Sequence, residues 1–107
     1  LSYLAATDAA LAAKRDVLRD FLQRVVRAQV WSYQHVDSFS ATLARIIGIS
    51  PEAARLQFAR RQTVWRNLDA QIVAEQQRTA DFYLKAGLLK QRLEVASTFD
   101  AGFPLAA

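Results

Sequence analysis

The sequence predicts a mainly α chain of four to five helices, with at most one short strand at its N-terminus. Three observations predict it. Alanine, the best helix former, is very frequent, while the breakers are scarce, at three glycines and two prolines. Apolar residues recur at i, i+3 and i+4 over long stretches. Start and stop residues for helices fall between those stretches. The 107 residues suffice for one domain with one core and read as a single helical segment, 1–107. With 52% hydrophobic and 22% charged residues, the chain is globular rather than disordered.

The elements follow in order. "LSYLAAT" (1–7) is a short apolar run, either a strand or a lead-in to a helix. Thr7 or Asp8 can cap a helix over "DAALAAK". A longer helix is expected over 16–35, where Val17, Leu18, Phe21, Leu22, Val25, Val26 and Gln29 make one broad stripe. Asp37 or Ser38 should cap the next helix, which carries Phe39, Leu43, Ile46 and Ile47 and stops at Gly48. Ser50 then caps a helix with Pro51 in its first turn, running to about Arg61. "QTVWRNL" (62–68) has no helical stripe and reads as an extended linker. Asp69 caps a last long helix over 70–86, with Ile72, Val73, Ala80, Tyr83 and Leu84 as its stripe and Gly87 as its stop. The tail is irregular, because Gly102 and Pro104 oppose a long helix there.

Net charge is +4, mostly from arginine. That balance permits binding to nucleic acid or an anionic surface without requiring it. Without cysteine there is no disulfide or thiol chemistry, and the compartment stays open. The longest apolar run falls far short of the ~18 residues of a membrane span. No charged-then-apolar leader opens the chain. It begins at Leu1 rather than methionine, which points to a processed product or a piece of something larger.

Little in the sequence carries catalytic chemistry. His35 is the single histidine and sits at a helix end, where a solvated or capping imidazole is expected. No paired-histidine spacing supports a metal, and no phosphate-cradling glycine loop or nucleophile elbow occurs. Asp16, Asp20, Glu75 and Asp81 lie among cations on helical faces and read as solvated partners, with Asp20–Arg24 and Asp81–Lys85 as i,i+4 pairs. Neither an enzyme nor a cofactor is expected. Trp31 with Tyr33, and Phe82 with Tyr83, stand at helical spacing and read as core. Trp65 beside Arg66, outside any helical pattern, is the aromatic least explained by packing. Tyr3 and Trp65 are the candidate ligand contacts.

"LARIIGISPEAARLQFAR" (43–60) is built like a helix-turn-helix. A DNA-reading unit buries apolar residues on the second helix so that its outer face is free for the groove. Ala54 and Gln57 hold those inward positions, one small and one polar. Leu56 and Phe58 would point to the DNA side and read instead as packing residues. Glu52 places negative charge at the end that would approach phosphate. The hairpin is therefore expected to pack within a larger body, and no nucleic-acid partner is expected. The alternative is a small basic helical domain for DNA or protein interaction, with this hairpin as its helix-turn-helix.

"DAQIVAEQQRTADFYLKAGLL" (69–89), with Gln76, Gln77, Ala80, Asp81, Phe82 and Gly87, resembles a segment near the C-terminus of certain extracytoplasmic solute-binding proteins. These are the aliphatic sulfonate, nitrate and taurine group that serves ABC importers. "LEVASTFD" (93–100) is similar to the sequence that follows there, "SYLAAT" to a strand returning from one lobe, and "KRDVLRDFLQRVVRAQVWSYQH" to the long helix after it. "GISPEAARLQFARR" falls where that family has a helical hairpin. The resemblance spans nearly the whole chain in order. It implies the C-terminal third of a two-lobe α/β periplasmic binding protein. It implies a small oxyanion ligand, an aliphatic sulfonate first, with importer membrane subunits as partners and the periplasm as location. Tyr3 falls at the start of the implied crossing strand. The anion-holding loops are implied to lie upstream, and the isolated segment is expected to self-associate over its apolar faces.

Overall fold

The computed structural model describes residues 2–105. Among them are five α-helices and a 3-10 turn, with no strand. They are α1 (Asp8–Ala13), α2 (Arg15–Gln34), α3 (Val36–Ile47), α4 (Pro51–Arg60), α5 (Ala70–Lys85) and the turn Val95–Thr98. The mainly α expectation is met, and residues 2–7 form a lead-in without strand pairing. The chain divides into two compact units, Leu1–Trp65 and Arg66–Ala107.

In the first unit, Thr7 caps α1 by accepting from the Ala10 amide at 3.1 Å. A single residue, Lys14, separates α1 from α2, and another, His35, separates α2 from α3. The expected caps Asp37 and Ser38 are not at the start of α3. The chain bends at His35 (φ −132°, ψ 51°) and becomes helical at once, so both lie inside the first turn. There Asp37 accepts from Arg55 Nε at 2.9 Å, an exposed pair tying α4 to α3 and worth about 0–1 kcal/mol.

Gly48 ends α3 at φ 74°, and the amides of Gly48 and Ile49 both reach the Ala44 carbonyl, at 2.9 and 3.1 Å. Ser50 then caps α4 by accepting from the Ala53 amide at 3.1 Å, with Pro51 opening the helix. The two helices pack on each other across small residues: Ser40, Ala44 and Ala54 are the buried ones. Beside that seam Phe58 is met edge-on by Tyr33 (5.4 Å) and Phe39 (5.1 Å).

The larger apolar residues behave differently from expectation. Ile46 and Ile47 lie outside the core, with Ile46 71% exposed. Leu56, read as a packing residue, is 52% exposed on the outer side of α4. The close seam needs small side chains, so Ala and Ser take the inside and the bulky residues are displaced outward. On α2 the stripe is split. Leu18, Leu22, Val25, Val26 and Gln29 are partly buried, while Val17 and Phe21 are 66% and 57% exposed.

In the second unit, Asp69 caps α5 by accepting from the Ile72 amide at 2.9 Å. The helix stops at Gly87 (φ 82°), where Leu88 N–H donates to the Tyr83 carbonyl and Gly87 N–H to that of Leu84. These are the two bonds of a Schellman motif. Ile72, Ala80 and Val95 are buried, whereas Tyr83, placed on the expected stripe, is exposed together with Phe82. Gln77 joins the tail to the helix. Its Nε2 donates to the Leu93 carbonyl (2.8 Å), and its Oε1 accepts from the Val95 amide (3.0 Å). One side-chain amide thus satisfies both backbone groups that a neighbouring strand would otherwise satisfy. Asp81 accepts from Gln77 Nε2 at 2.8 Å and faces Arg92 at 3.7 Å, rather than Lys85.

Two outcomes follow from these joints. Gly48→Ala forces a Cβ into the left-handed region and lowers stability by about 1 kcal/mol in denaturant titration. Gln77→Ala removes two bonds to the tail, each worth about 1 kcal/mol, so the Val95 amide exchanges faster by hydrogen-exchange mass spectrometry while α5 keeps its protection.

Candidate functional site

The stretch leaving α4 is extended, with Arg61 at φ −105°, ψ 97°. No helical stripe competes for it, and β-branched Thr63 and Val64 favour extension. In an extended chain neighbours point to opposite sides. Val64 accordingly faces water, and Trp65 is partly buried. The Trp65 Nε1 is shielded from solvent and has no acceptor among the described residues. A buried donor left unpaired costs about 1–3 kcal/mol, so the position of this indole is held by something else. Tyr33 supplies the hold nearby: its Oη donates to the Arg61 carbonyl (2.5 Å) and accepts from the Thr63 amide (3.0 Å).

Tyr3, the other candidate contact, lies exposed in the N-terminal lead-in. The lead-in and the stretch after α4 are the two non-helical ends of the first unit, and each carries one of the two candidates.

His35 and several carboxylates are engaged with the fold. His35 stacks on Trp31 with centroids 4.3 Å apart and 12° between planes, and its Nδ1 lies 2.9 Å from the Trp31 carbonyl. Trp31 is thereby an exposed stacking partner, not the core residue its spacing suggested. Asp20 and Arg24 pair at 2.9 Å, as do Asp16 and Arg19. Glu75 accepts from Gln71 at 3.1 Å, and Arg92 contacts Glu94. Among the described residues no three His, Cys, Asp or Glu side chains gather as a metal site, and no helix is long and apolar enough to cross a membrane.

The hairpin presents a mixed face. Ala54 is fully buried, as a DNA-reading unit requires, but Gln57 is exposed at the second inward position. Phe58 belongs to the aromatic cluster of α2, α3 and α4. The outer side of α4 offers Glu52, Leu56 and Arg60, so an apolar side chain and a carboxylate occupy the place where phosphate-binding cations would serve.

The most extensive uncommitted feature is apolar surface. A compact 12.0 kDa monomer exposes about 6,000 Å², and two separately compact halves about 7,200 Å². The accessible surface of this chain is 8360 Å². Val17 and Phe21 on α2, Ile46 and Ile47 on α3, and Phe82 on α5 contribute to that excess. Exposed apolar side chains of this size, where they adjoin, mark contact with further protein. At raised concentration the isolated chain should therefore self-associate, with a mass by light scattering that climbs with concentration. Phe21→Ser should lower that association, and a strictly monomeric profile is the opposing result.

Neither a protein-family model, nor a curated protein, nor a solved structure matches the chain.

Proposed function

We propose that these residues form a helical segment of an extracytoplasmic solute-binding protein, one that captures a small oxyanion for an ABC importer. The carrying observation is the amount of uncovered surface, polar and apolar together, 8360 Å² in all where even two compact halves would leave about 7,200 Å², with Val17, Phe21, Ile46, Ile47 and Phe82 among the exposed residues. Such a surface suits helices that lie against the sheets of a two-lobe body. The order of elements supports the same reading: a lead-in at 2–7, the long α2, the Gly48 hairpin, an extended stretch, and the Asp69-capped α5 ending at Gly87. From the long helix onward it follows the order implied by the sequence resemblance, whereas the strand implied at 2–7 is absent among the described residues.

In this reading α2 and α5 are scaffold, and the periplasm is the working compartment. The aliphatic sulfonate is held chiefly by loops of the larger body. Trp65 adds one donor: its Nε1 has no acceptor among the described residues, a sulfonate oxygen is one, and the ligand reaches it by displacing what shields it from solvent here. Tyr3 lies on the hinge side. Lobe closure around the anion is what the membrane subunits of the importer sense. No residue has a catalytic role.

Calorimetry on the two-lobe protein carrying this segment tests the reading, with alkanesulfonates, taurine and nitrate as probes. Heat is expected with the alkanesulfonates. Trp65→Phe keeps the ring and removes the N–H, and should weaken binding about tenfold, the usual scale for a hydrogen bond to a charged group. Absence of heat with all three probes overturns the ligand assignment.

A further inference from the structure

We propose that Tyr33 is the positioning residue of Trp65, fixing where the indole donor stands. The inference rests on the reading of Trp65 as a ligand contact and adds the group that holds it. Tyr33 is the penultimate residue of α2, and its phenol uses both of its hydrogen-bonding functions on the chain leaving α4. It donates to the Arg61 carbonyl and accepts from the Thr63 amide, so the peptide groups on both sides of Gln62 are fixed at once. The phenol itself is held, because its ring meets Phe58 edge-on and Phe58 meets Phe39 in the same way.

Only Val64 intervenes between Thr63 and Trp65, and Val64 is exposed. At about 3.3 Å per extended residue, the indole's Cα stands roughly 7 Å from the fixed amide. The indole Nε1 itself makes no bond to any described residue. Its placement therefore depends on packing and on the restraint two residues upstream. A ligand that displaces the cover over Nε1 meets a ring already ordered, so the cost of ordering the ring does not reduce affinity. Tyr33 touches no ligand; it acts through Trp65.

The test uses the full chain with Trp31→Phe, so that Trp65 is the sole fluorophore of the two tryptophans. Tyr33→Phe removes only Oη and leaves the ring on Phe58. Under native conditions, with helix content by circular dichroism unchanged, Trp65 emission should shift to the red and acrylamide should quench it more strongly. The Thr63 amide should exchange about fivefold faster, as for one lost hydrogen bond. A general loss of stability would not move the emission of the folded state. Thr63→Pro removes the amide donor with Tyr33 intact and should shift the emission in the same direction. It carries the test if Tyr33→Phe loses helix content.

Unchanged emission and quenching overturn the proposal, even if the Thr63 amide exchanges faster. A red shift in a protein that gives no heat with sulfonates keeps the positioning role and removes the ligand reading, so the two failures are distinguishable.

Discussion

The seam between α3 and α4 is the constraint on which the first unit depends. Ser40, Ala44 and Ala54 are small enough for two backbones to approach closely, and the left-handed turn at Gly48 brings them there. Close approach fixes where Phe58 emerges, between Tyr33 and Phe39. It also brings the end of α4 within reach of the Tyr33 phenol, which ties down the chain ahead of Trp65. A larger residue at Ala54 would separate the helices and disturb each of these contacts in turn. The seam carries a polar cost as well. The Ser40 hydroxyl is fully buried and has no partner among the described residues, so its value at that position is its size rather than its oxygen.

The fully buried apolar set among the described residues is small: Ala44, Ala54, Ile72, Ala80 and Val95. Three of the five are alanines, and each buries little more than one methyl group, worth about 0.8 kcal/mol. Ordering a residue costs about 1–2 kcal/mol. The partly buried ridges on α2 and α5 must therefore supply much of the remaining stabilisation, and covering them further would add to it. A scaffold role suits this balance, because a body laid over those ridges gains more from them than the isolated chain does. The charged residues leave the same impression. Asp16, Asp20 and Asp37 are paired on exposed faces, where ion pairs aid solubility more than stability.

Helix ends were the most legible part of the sequence, because capping is local. Thr7, Ser50, Asp69, Gly48 and Gly87 stand where their side chains or their φ angles require. The breaks at Lys14 and His35 were legible as gaps between helical stretches, although neither has a glycine or proline; the cap of α3 was not, and Asp37 and Ser38 fell inside its first turn. Facing was the least legible property. Ile46, Leu56, Phe82 and Tyr83 are apolar at helical spacing, yet they lie outside because small residues took the contact. Trp65 could be singled out from sequence as an aromatic outside any helical stripe. Its anchor could not, since Tyr33 and Thr63 are separated by thirty positions and nothing local links them. The role of Gln77 was hidden for the same reason, although the glutamine pair itself was conspicuous.

The tail of the second unit is pinned at two places by carboxamides. Gln77 holds Leu93 and Val95, and the Asn67 Oδ1 accepts from the Leu105 amide at 2.7 Å. The pins differ in what hydrolysis of the amide would do to them. Asn67 serves only as an acceptor there, and a carboxylate accepts equally well. Gln77 serves as both donor and acceptor, and a carboxylate at that position would set negative charge against the Leu93 carbonyl and the neighbouring Asp81. Chemical ageing would thus leave the far pin in place and halve the near one, which keeps its acceptor for the Val95 amide and loses its donor to Leu93, turning the tail from a clasp into a looser loop.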